Sequence, residues 1–223
     1  MNQEQVLSLL KETKLVAILR GIPVKQATDI ATALYDGGVR VLEFTFDHDD
    51  PDCVAHNCQR IRAVKKIFGD EMVVGCGTAL TVQEVEASVE AGGQIVISPN
   101  VDVSVIAKTK ALGAISMPGA LTPTEIVMAY NAGADIVKLF PAGALGVPYI
   151  KAVRGPLGYI PMSAVGGVRP ETIADFLNVG VCGFGVGGEL VKKEFVRSGD
   201  MNALTSRARK FVHAIEQWEA NRS

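Results

Sequence analysis

The segment VRVLEFTF at residues 39–46 is a short apolar run, rich in β-branched and aromatic residues. A helical stretch follows it, and then a second run of the same kind, MVVGCGTA at residues 72–79. Near-continuous apolar runs of this length are typical of strands in a parallel sheet whose faces are covered by helices. The two runs therefore predict a strand–helix–strand unit.

Six further runs of this kind lie before and after these two in the chain, and consecutive runs begin 20 to 33 residues apart. The other six are KLVAILRG (14–21), QIVISPN (94–100), AISMPGA (114–120), IVKLFPA (136–142), YIPMSAVGG (159–167) and VCGFGVGG (181–188). This spacing leaves room for one helix between consecutive strands. An open doubly wound sheet is the strongest rival, but eight regular units favour closure into a (β/α)8 barrel, the TIM barrel.

The boundaries of the predicted helices carry capping signals. Thr81 and Thr122 are each followed three residues later by glutamate, the pattern of a capping box, and Asp102 is a further N-cap candidate. Residues 1–13 predict an extra helix that closes the bottom of the barrel, and residues 200–220 predict the last helix. We expect residues 1–223 to form a single domain.

Composition excludes several classes of function. The chain has 223 residues and a formal net charge of −2, which gives no reason to expect binding to nucleic acid or to an anionic membrane. Its apolar runs are too short to span a bilayer, and its amino terminus lacks the features of a secretory signal. The four cysteines match no zinc pattern. We expect a cytoplasmic protein with reduced thiols.

Two charged residues interrupt the apolar runs. Lys138 lies between Val137 and Leu139, and desolvation there would favour the neutral, nucleophilic amine. Strand alternation places Glu43 on the barrel side, opposite the neighbouring phenylalanines. The pair is either a structural ion pair or the amine and the carboxylate that an imine mechanism needs.

Other polar and glycine residues end the runs at the carboxyl edge, where barrels of this kind carry their active sites. Arg20 ends the first run and can grip a carboxylate or phosphate, although a solvated arginine is an equal alternative. Thr78 offers a hydroxyl group after the third run. Two glycine pairs, Gly166-Gly167 and Gly187-Gly188, end the seventh and eighth runs, the second just before a predicted helix. Backbone amides at these two places commonly hold a phosphate.

The acidic run at residues 47–50, Asp-His-Asp-Asp, could suggest a metal site. Adjacent residues at a strand end cannot all converge on one ion, and no second cluster completes a coordination shell. We therefore interpret it as a solvated loop that caps the following helix, and we expect no metal and no other cofactor.

Taken together, these motifs resemble the class I aldolases for 2-keto-3-deoxy-6-phosphogluconate and 4-hydroxy-2-oxoglutarate. The resemblance covers nearly the whole chain. It rests on GGVRVLEFTF (37–46), GCGT (75–78), ISPN (97–100), KLFPA (138–142) and AVGGV (164–168).

The resemblance implies a role for each matching position. Lys138 would form the Schiff base, and Glu43 would move protons between the intermediates. Thr78 would bind the carboxylate or hydroxyl groups of the substrate, while Pro99 and Phe140 would shape the pocket around the imine. The residues that would supply amides to a distal phosphate or carboxylate are Gly166, Gly167, Gly187 and Gly188. Arg20 matches an arginine found in part of the family, and the family implies a homotrimer.

Three positions depart from the family pattern. Asp47 stands where a carboxylate-binding arginine is usual, so that Arg20 or backbone amides would take over. Glu189 replaces a small polar residue after the last glycine pair and would repel a dianion unless it points away. Val165 replaces a threonine before Gly166-Gly167. These departures concern the phosphorylated end of the substrate and not the imine chemistry.

The expected reaction is reversible cleavage of a 2-keto-4-hydroxy acid to pyruvate and an aldehyde, either glyceraldehyde 3-phosphate or glyoxylate. An oxaloacetate decarboxylase and an aldolase for a galactonate-type epimer would use the same imine. An isomerase or epimerase could use Glu43 as a simple base without a covalent step. A barrel that binds a small molecule without catalysis is the alternative from another class.

Overall fold

The computed structural model describes residues 1–222; Ser223, the last residue of the expected domain, lies outside the described residues. Over this range the strands are β1 (Leu15–Leu19), β2 (Val41–Thr45), β3 (Val73–Gly77), β4 (Ile95–Ile97), β5 (Ile115–Met117), β6 (Gly119–Ala120), β7 (Val137–Leu139), β8 (Met162–Val165) and β9 (Gly183–Val186).

The helices lie between the strands and beyond them. They are α1 (Gln3–Thr13), α2 (Ala27–Asp36), α3 (Cys53–Phe68), α4 (Val82–Glu90), α5 (Val103–Ala111), α6 (Pro123–Asn131), α7 (Ala142–Leu157), α8 (Ile173–Asn178), α9 (Lys193–Ser198) and α10 (Met201–Ala220). Short 3-10 turns at Val24–Gln26 and Pro170–Thr172 lead into α2 and α8. None of the helices in the described chain is long and apolar enough to cross a membrane.

All the strand pairs are parallel, and the order in the sheet is β5-β4-β3-β2-β1-β9-β8-β7-β6. The two strands at the ends of this order, β5 and β6, are separated in the chain only by Pro118. They are therefore the two halves of the predicted fifth strand, interrupted where proline lacks an N–H group. Since one half pairs with β4 and the other with β7, the sheet curls into a nearly closed barrel, and the predicted barrel fold is confirmed.

Strand alternation divides the core into an outer and an inner part. On β2, Leu42 and Phe44 belong to the outer core beneath the helices, whereas Val41 faces the barrel interior. The inner core also contains Val6 and Leu10 of α1, which pack against the interior residues near the amino ends of the strands. The predicted extra helix therefore closes the bottom of the barrel, and the site lies at the other end.

The predicted helix caps are present. Thr81 and Thr122 form capping boxes with Glu84 and Glu125, and the side chain of Asp102 accepts hydrogen bonds from two backbone amides of α5. These caps satisfy amide groups that would otherwise lack partners at the first turn of each helix.

One helix boundary differs from the prediction. No helix begins directly after Gly187-Gly188: the chain first makes a tight turn, in which the amides of Leu190 and Val191 donate to the Gly187 carbonyl oxygen. The next helix, α9, begins only at Lys193. The helix expected just after Gly187-Gly188 therefore exists, but it starts five residues beyond Gly188.

Candidate active site

Lys138 lies in the interior of the barrel, because its neighbours Val137 and Leu139 face the outer core. The lysine side chain is only 8% exposed, and its Nζ donates a hydrogen bond of 3.4 Å to the carbonyl oxygen of Ser98. Burial lowers the pKa of Lys138; the carboxylate of Glu43 opposes this shift, and Arg20 adds to it. The shift increases the fraction of the neutral amine, which is the nucleophilic form.

Glu43 lies on the inner side of β2 and is 2% exposed. Its carboxylate accepts hydrogen bonds from the hydroxyl group of Thr45, at 3.2 Å to Oε2 and 3.4 Å to Oε1. Burial raises the pKa of Glu43 to about 7, although Lys138 and Thr45 both act to lower it. A carboxyl group with a pKa near neutrality can both accept and release a proton during a reaction.

Gly77 provides the space that the carboxylate of Glu43 occupies. A Cβ atom at position 77 would lie 2.0 Å from Glu43 Oε2 and 2.2 Å from its Oε1, far inside van der Waals contact. Gly77 is paired in register with Thr45, two residues beyond Glu43. The sequence alone does not reveal this role, because the GCGT motif predicts a hydroxyl group at Thr78 but not the space next to Gly77.

Thr78 follows directly, with a φ of +55°. This left-handed backbone conformation is uncommon for a residue other than glycine and is found disproportionately at functional sites. Thr78 is half-buried, at the carboxyl end of β3. The structure therefore places the predicted threonine at the mouth of the barrel, next to the glycine that accommodates Glu43.

The structure places Phe140 close to the lysine and Pro99 next to a residue that contacts it. Pro99 is half-buried and follows Ser98, the residue whose carbonyl oxygen accepts the hydrogen bond from Lys138. The centre of the Phe140 ring is 5.0 Å from Lys138 Nζ, and the ring is 41% exposed. The amine thus has a polar contact with Ser98 and lies near the ring of Phe140, which is partly exposed to solvent.

The two glycine pairs and Arg20 line one pocket together with Phe140. This pocket, of about 190 Å³, is called the glycine pocket below. Gly166 and Gly167 have φ angles of +89° and +73°, and the amide of Gly143 donates to the Gly166 carbonyl oxygen at 2.7 Å. Five predicted binding residues therefore come together with Phe140, although they are far apart in the chain.

Glu189 lies at the edge of the glycine pocket, but its charge has a partner. Arg207 of α10 approaches Glu189 Oε2 to 3.4 Å and donates from Nε to the Glu189 carbonyl oxygen at 2.8 Å. Because both groups are partly exposed, the ion pair contributes little stability, but it orients the carboxylate.

The acidic run at residues 47–50 does not converge on one point. His48 contacts Glu84 at 2.7 Å, while Asp50 contacts His56 at 2.7 Å, so neighbouring side chains turn to different partners. Asp47 lines a separate cavity that also contains Arg20. Across the described residues, no group of three or more acidic, histidine or cysteine side chains is arranged to hold a metal ion.

Comparison with known proteins places the chain among aldolases. Residues 6–207 match the family model described as "Aldolase: KDPG and KHG aldolase". A probable 2-dehydro-3-deoxy-6-phosphogalactonate aldolase of Rhizobium meliloti is 37% identical over 81% of this chain and 83% of its own length. The KHG/KDPG aldolase of Escherichia coli is 33% identical over 94% of this chain and 95% of its own length.

A solved structure described as native KDPGal superposes with a TM-score of 0.83. It is 33% identical in sequence, and the match covers 92% of this chain and 96% of that one.

The raised pKa of Glu43 predicts a pH-dependent effect on stability. Its value of about 7 exceeds the ordinary value of 4.5, so the folded protein binds more protons than the unfolded chain between these two values. Stability is therefore lost as the pH rises through the folded pKa. We expect Glu43→Gln to stabilise the protein at about pH 8, by at most about 3 kcal/mol, and the gain to shrink toward about pH 5.

Urea unfolding at both pH values measures this difference. Repeating the substitution in a Lys138→Met background removes the electrostatic coupling between the two side chains and serves as the control. A stability difference that does not change with pH in either background would show that Glu43 is not protonated preferentially in the folded state.

Proposed function

Because the chain belongs to the KDPG and KHG aldolase family, we propose that it cleaves a 2-keto-4-hydroxy acid to pyruvate and an aldehyde through an imine on Lys138. The observation that carries this proposal is a buried lysine with a lowered pKa that shares the barrel interior with a buried carboxylate. The primary candidate substrates are 2-keto-3-deoxy-6-phosphogluconate and 4-hydroxy-2-oxoglutarate.

In this reaction the neutral amine of Lys138 attacks the C2 carbonyl carbon, and loss of water gives the iminium ion. Glu43 removes the proton of the C4 hydroxyl group, directly or through water. The C3–C4 bond breaks, the aldehyde leaves, and the bonding electrons move into the iminium group to give an enamine. Protonation at C3 and hydrolysis then release pyruvate and regenerate the amine.

The other site residues would bind the substrate around this centre. Arg20 and Thr78 would hold the carboxylate of the keto acid, and Pro99 and Phe140 would confine the imine carbon. Gly166, Gly167, Gly187 and Gly188 would donate backbone amides to a distal phosphate or carboxylate. The support for this assignment is that Arg20, Phe140 and the four glycines line one pocket.

The remaining expectations are part of the same proposal. We infer a single domain, a location in the cytoplasm and a homotrimer, as the family resemblance implies. Large apolar side chains that are exposed on the described chain, such as Tyr130 and Tyr159, support association with further copies.

Trapping with borohydride tests the imine directly. We expect reduction in the presence of pyruvate to add the mass of the reduced adduct, and peptide mapping to place it on Lys138. Lys138→Ala should lose the adduct and nearly all activity. Lys151 is an exposed lysine of α7, so Lys151→Ala serves as the control and should retain both. Turnover of a substrate without any adduct would indicate an isomerase or epimerase that forms no covalent intermediate. Binding of a substrate without turnover would indicate the non-catalytic alternative.

The position of the Glu43 carboxylate should control proton transfer and not imine formation. We expect Glu43→Gln and Gly77→Ala each to lower kcat by about a hundredfold or more, because the first removes the base and the second displaces it. Borohydride trapping with pyruvate should persist in both variants. Gly155→Ala is a suitable control, because a Cβ atom there meets nothing within 4 Å. Normal turnover by Gly77→Ala would show that the placement of Glu43 does not matter.

A galactonate-type epimer is the second candidate substrate. It is favoured because the Rhizobium meliloti relative named for that substrate has higher identity, 37%, than the Escherichia coli KHG/KDPG aldolase, at 33%. We expect the enzyme to cleave 2-keto-3-deoxy-6-phosphogalactonate with a kcat/KM at least comparable to that for the gluconate epimer. Coupled measurement of pyruvate release from both epimers decides between them, and no turnover of the galactonate form would reject this candidate.

A further inference from the structure

The loop between β3 and α4, residues 78–81, begins with Thr78 in its left-handed conformation, at a φ of +55°. A residue other than glycine keeps this conformation only where the surrounding structure holds it. At the far end of the loop, the amides of Leu80 and Thr81 donate to Oε2 of Glu84, at 2.6 and 3.0 Å. The Glu84 carboxylate therefore fixes the end of the loop that leads into α4.

The other oxygen of Glu84 connects this loop with the segment after β2. Oε1 lies 2.7 Å from Nε2 of His48, and Glu84 is only 5% exposed, so that water cannot readily replace this contact. The ring of His48 lies 6.2 Å from that of Phe46. The amide of Phe46 in turn donates to the carbonyl oxygen of Gly77, directly before Thr78. The segment after β2 thus holds the Thr78 loop on both sides.

A second capping box shows that the contact with His48 is not a necessary part of the helix cap. At the start of α6, Glu125 accepts hydrogen bonds from the amides of Leu121 and Thr122, at 2.9 and 2.7 Å. This repeats the arrangement around Glu84, but no histidine in the described chain forms an ion pair with Glu125. The contact between His48 and Glu84 is therefore an addition that joins the cap of α4 to the neighbouring loop.

We propose that His48 is a positioning residue, which acts through Glu84 to hold the hydroxyl group of Thr78 in place for the carboxylate of the keto acid. This inference rests on the proposed function, in which Thr78 binds that carboxylate. The carboxylate is bound both before and during the chemical step. Loss of His48 should therefore weaken the binding of the keto acid more than it slows turnover.

A second histidine provides a matched control. His56 contacts Asp50 at 2.7 Å, the same distance as that between His48 and Glu84, and both histidine side chains are 39% exposed. Because neither histidine is buried, we expect both alanine variants to fold. The contact of His56 does not reach the Thr78 loop, so His56→Ala should leave catalysis unchanged.

The test measures the binding of pyruvate separately from turnover. For His48→Ala we expect the pyruvate concentration at half-maximal borohydride trapping, and KM for pyruvate in the condensation direction, to rise by about fivefold or more. The value of kcat should change by less than about twofold. His48→Gln retains a side-chain N–H donor and should restore most of the loss.

A double-mutant cycle tests whether His48 acts through Thr78. In a Thr78→Ala background, His48→Ala should have little further effect on KM, because the hydroxyl group that it positions is already absent. The proposal is overturned if the two effects add, if His48→Ala lowers kcat without raising KM or changes neither, or if His56→Ala raises KM equally. Absence of a borohydride adduct in the wild type would instead reject the proposed imine reaction.

Discussion

The chemistry of the site depends on the burial of an amine and a carboxylate in a barrel interior that is lined mainly by apolar side chains. Removing Lys138 and Glu43 from water disfavours both of their charged forms, and the pKa shifts follow from this: that of the lysine falls, and that of the glutamate rises. Each group also stabilises the charge of the other. In both groups burial shifts the equilibrium toward the neutral form, and for Glu43 the pKa comes near neutrality, as a sequence of proton transfers requires.

The two ends of the barrel interior differ in the size of their side chains, and this difference places the reactive pair. Near the amino ends of the strands the interior contains branched aliphatic residues, among them Val16, Val41, Val73 and Ile95, and α1 covers them. Toward the carboxyl ends, Gly77 and other glycines replace them. At Gly77 even a methyl group would overlap the carboxylate of Glu43. The barrel interior is therefore closely packed near the amino ends of the strands and leaves space for the site near their carboxyl ends.

The sequence predicted what depends on a local pattern. A charged residue in an apolar run is conspicuous, so Lys138 and Glu43 could be found without coordinates, and the capping boxes at Thr81 and Thr122 follow from residues three positions apart. Features that depend on distant partners could not be found in this way. The role of Gly77 follows from the register between β2 and β3, and the orientation of Glu189 follows from Arg207, which is contributed by a different helix.

Two of the departures from the family pattern introduce acidic residues, and their effect depends on the other charges around them. Asp47 lines a cavity that Arg20 also lines, and Glu189 lies at the edge of the glycine pocket. Taken singly, each would repel an anionic substrate. Arg207 interacts with Glu189, however, and Lys193 and Arg197, which line the same cavity as Asp47, outweigh its charge. Each of the two carboxylates at the mouth of the barrel is therefore accompanied by positive side chains. Within one family, the imine chemistry can thus stay at a fixed place inside the barrel while the charged residues around the rim change.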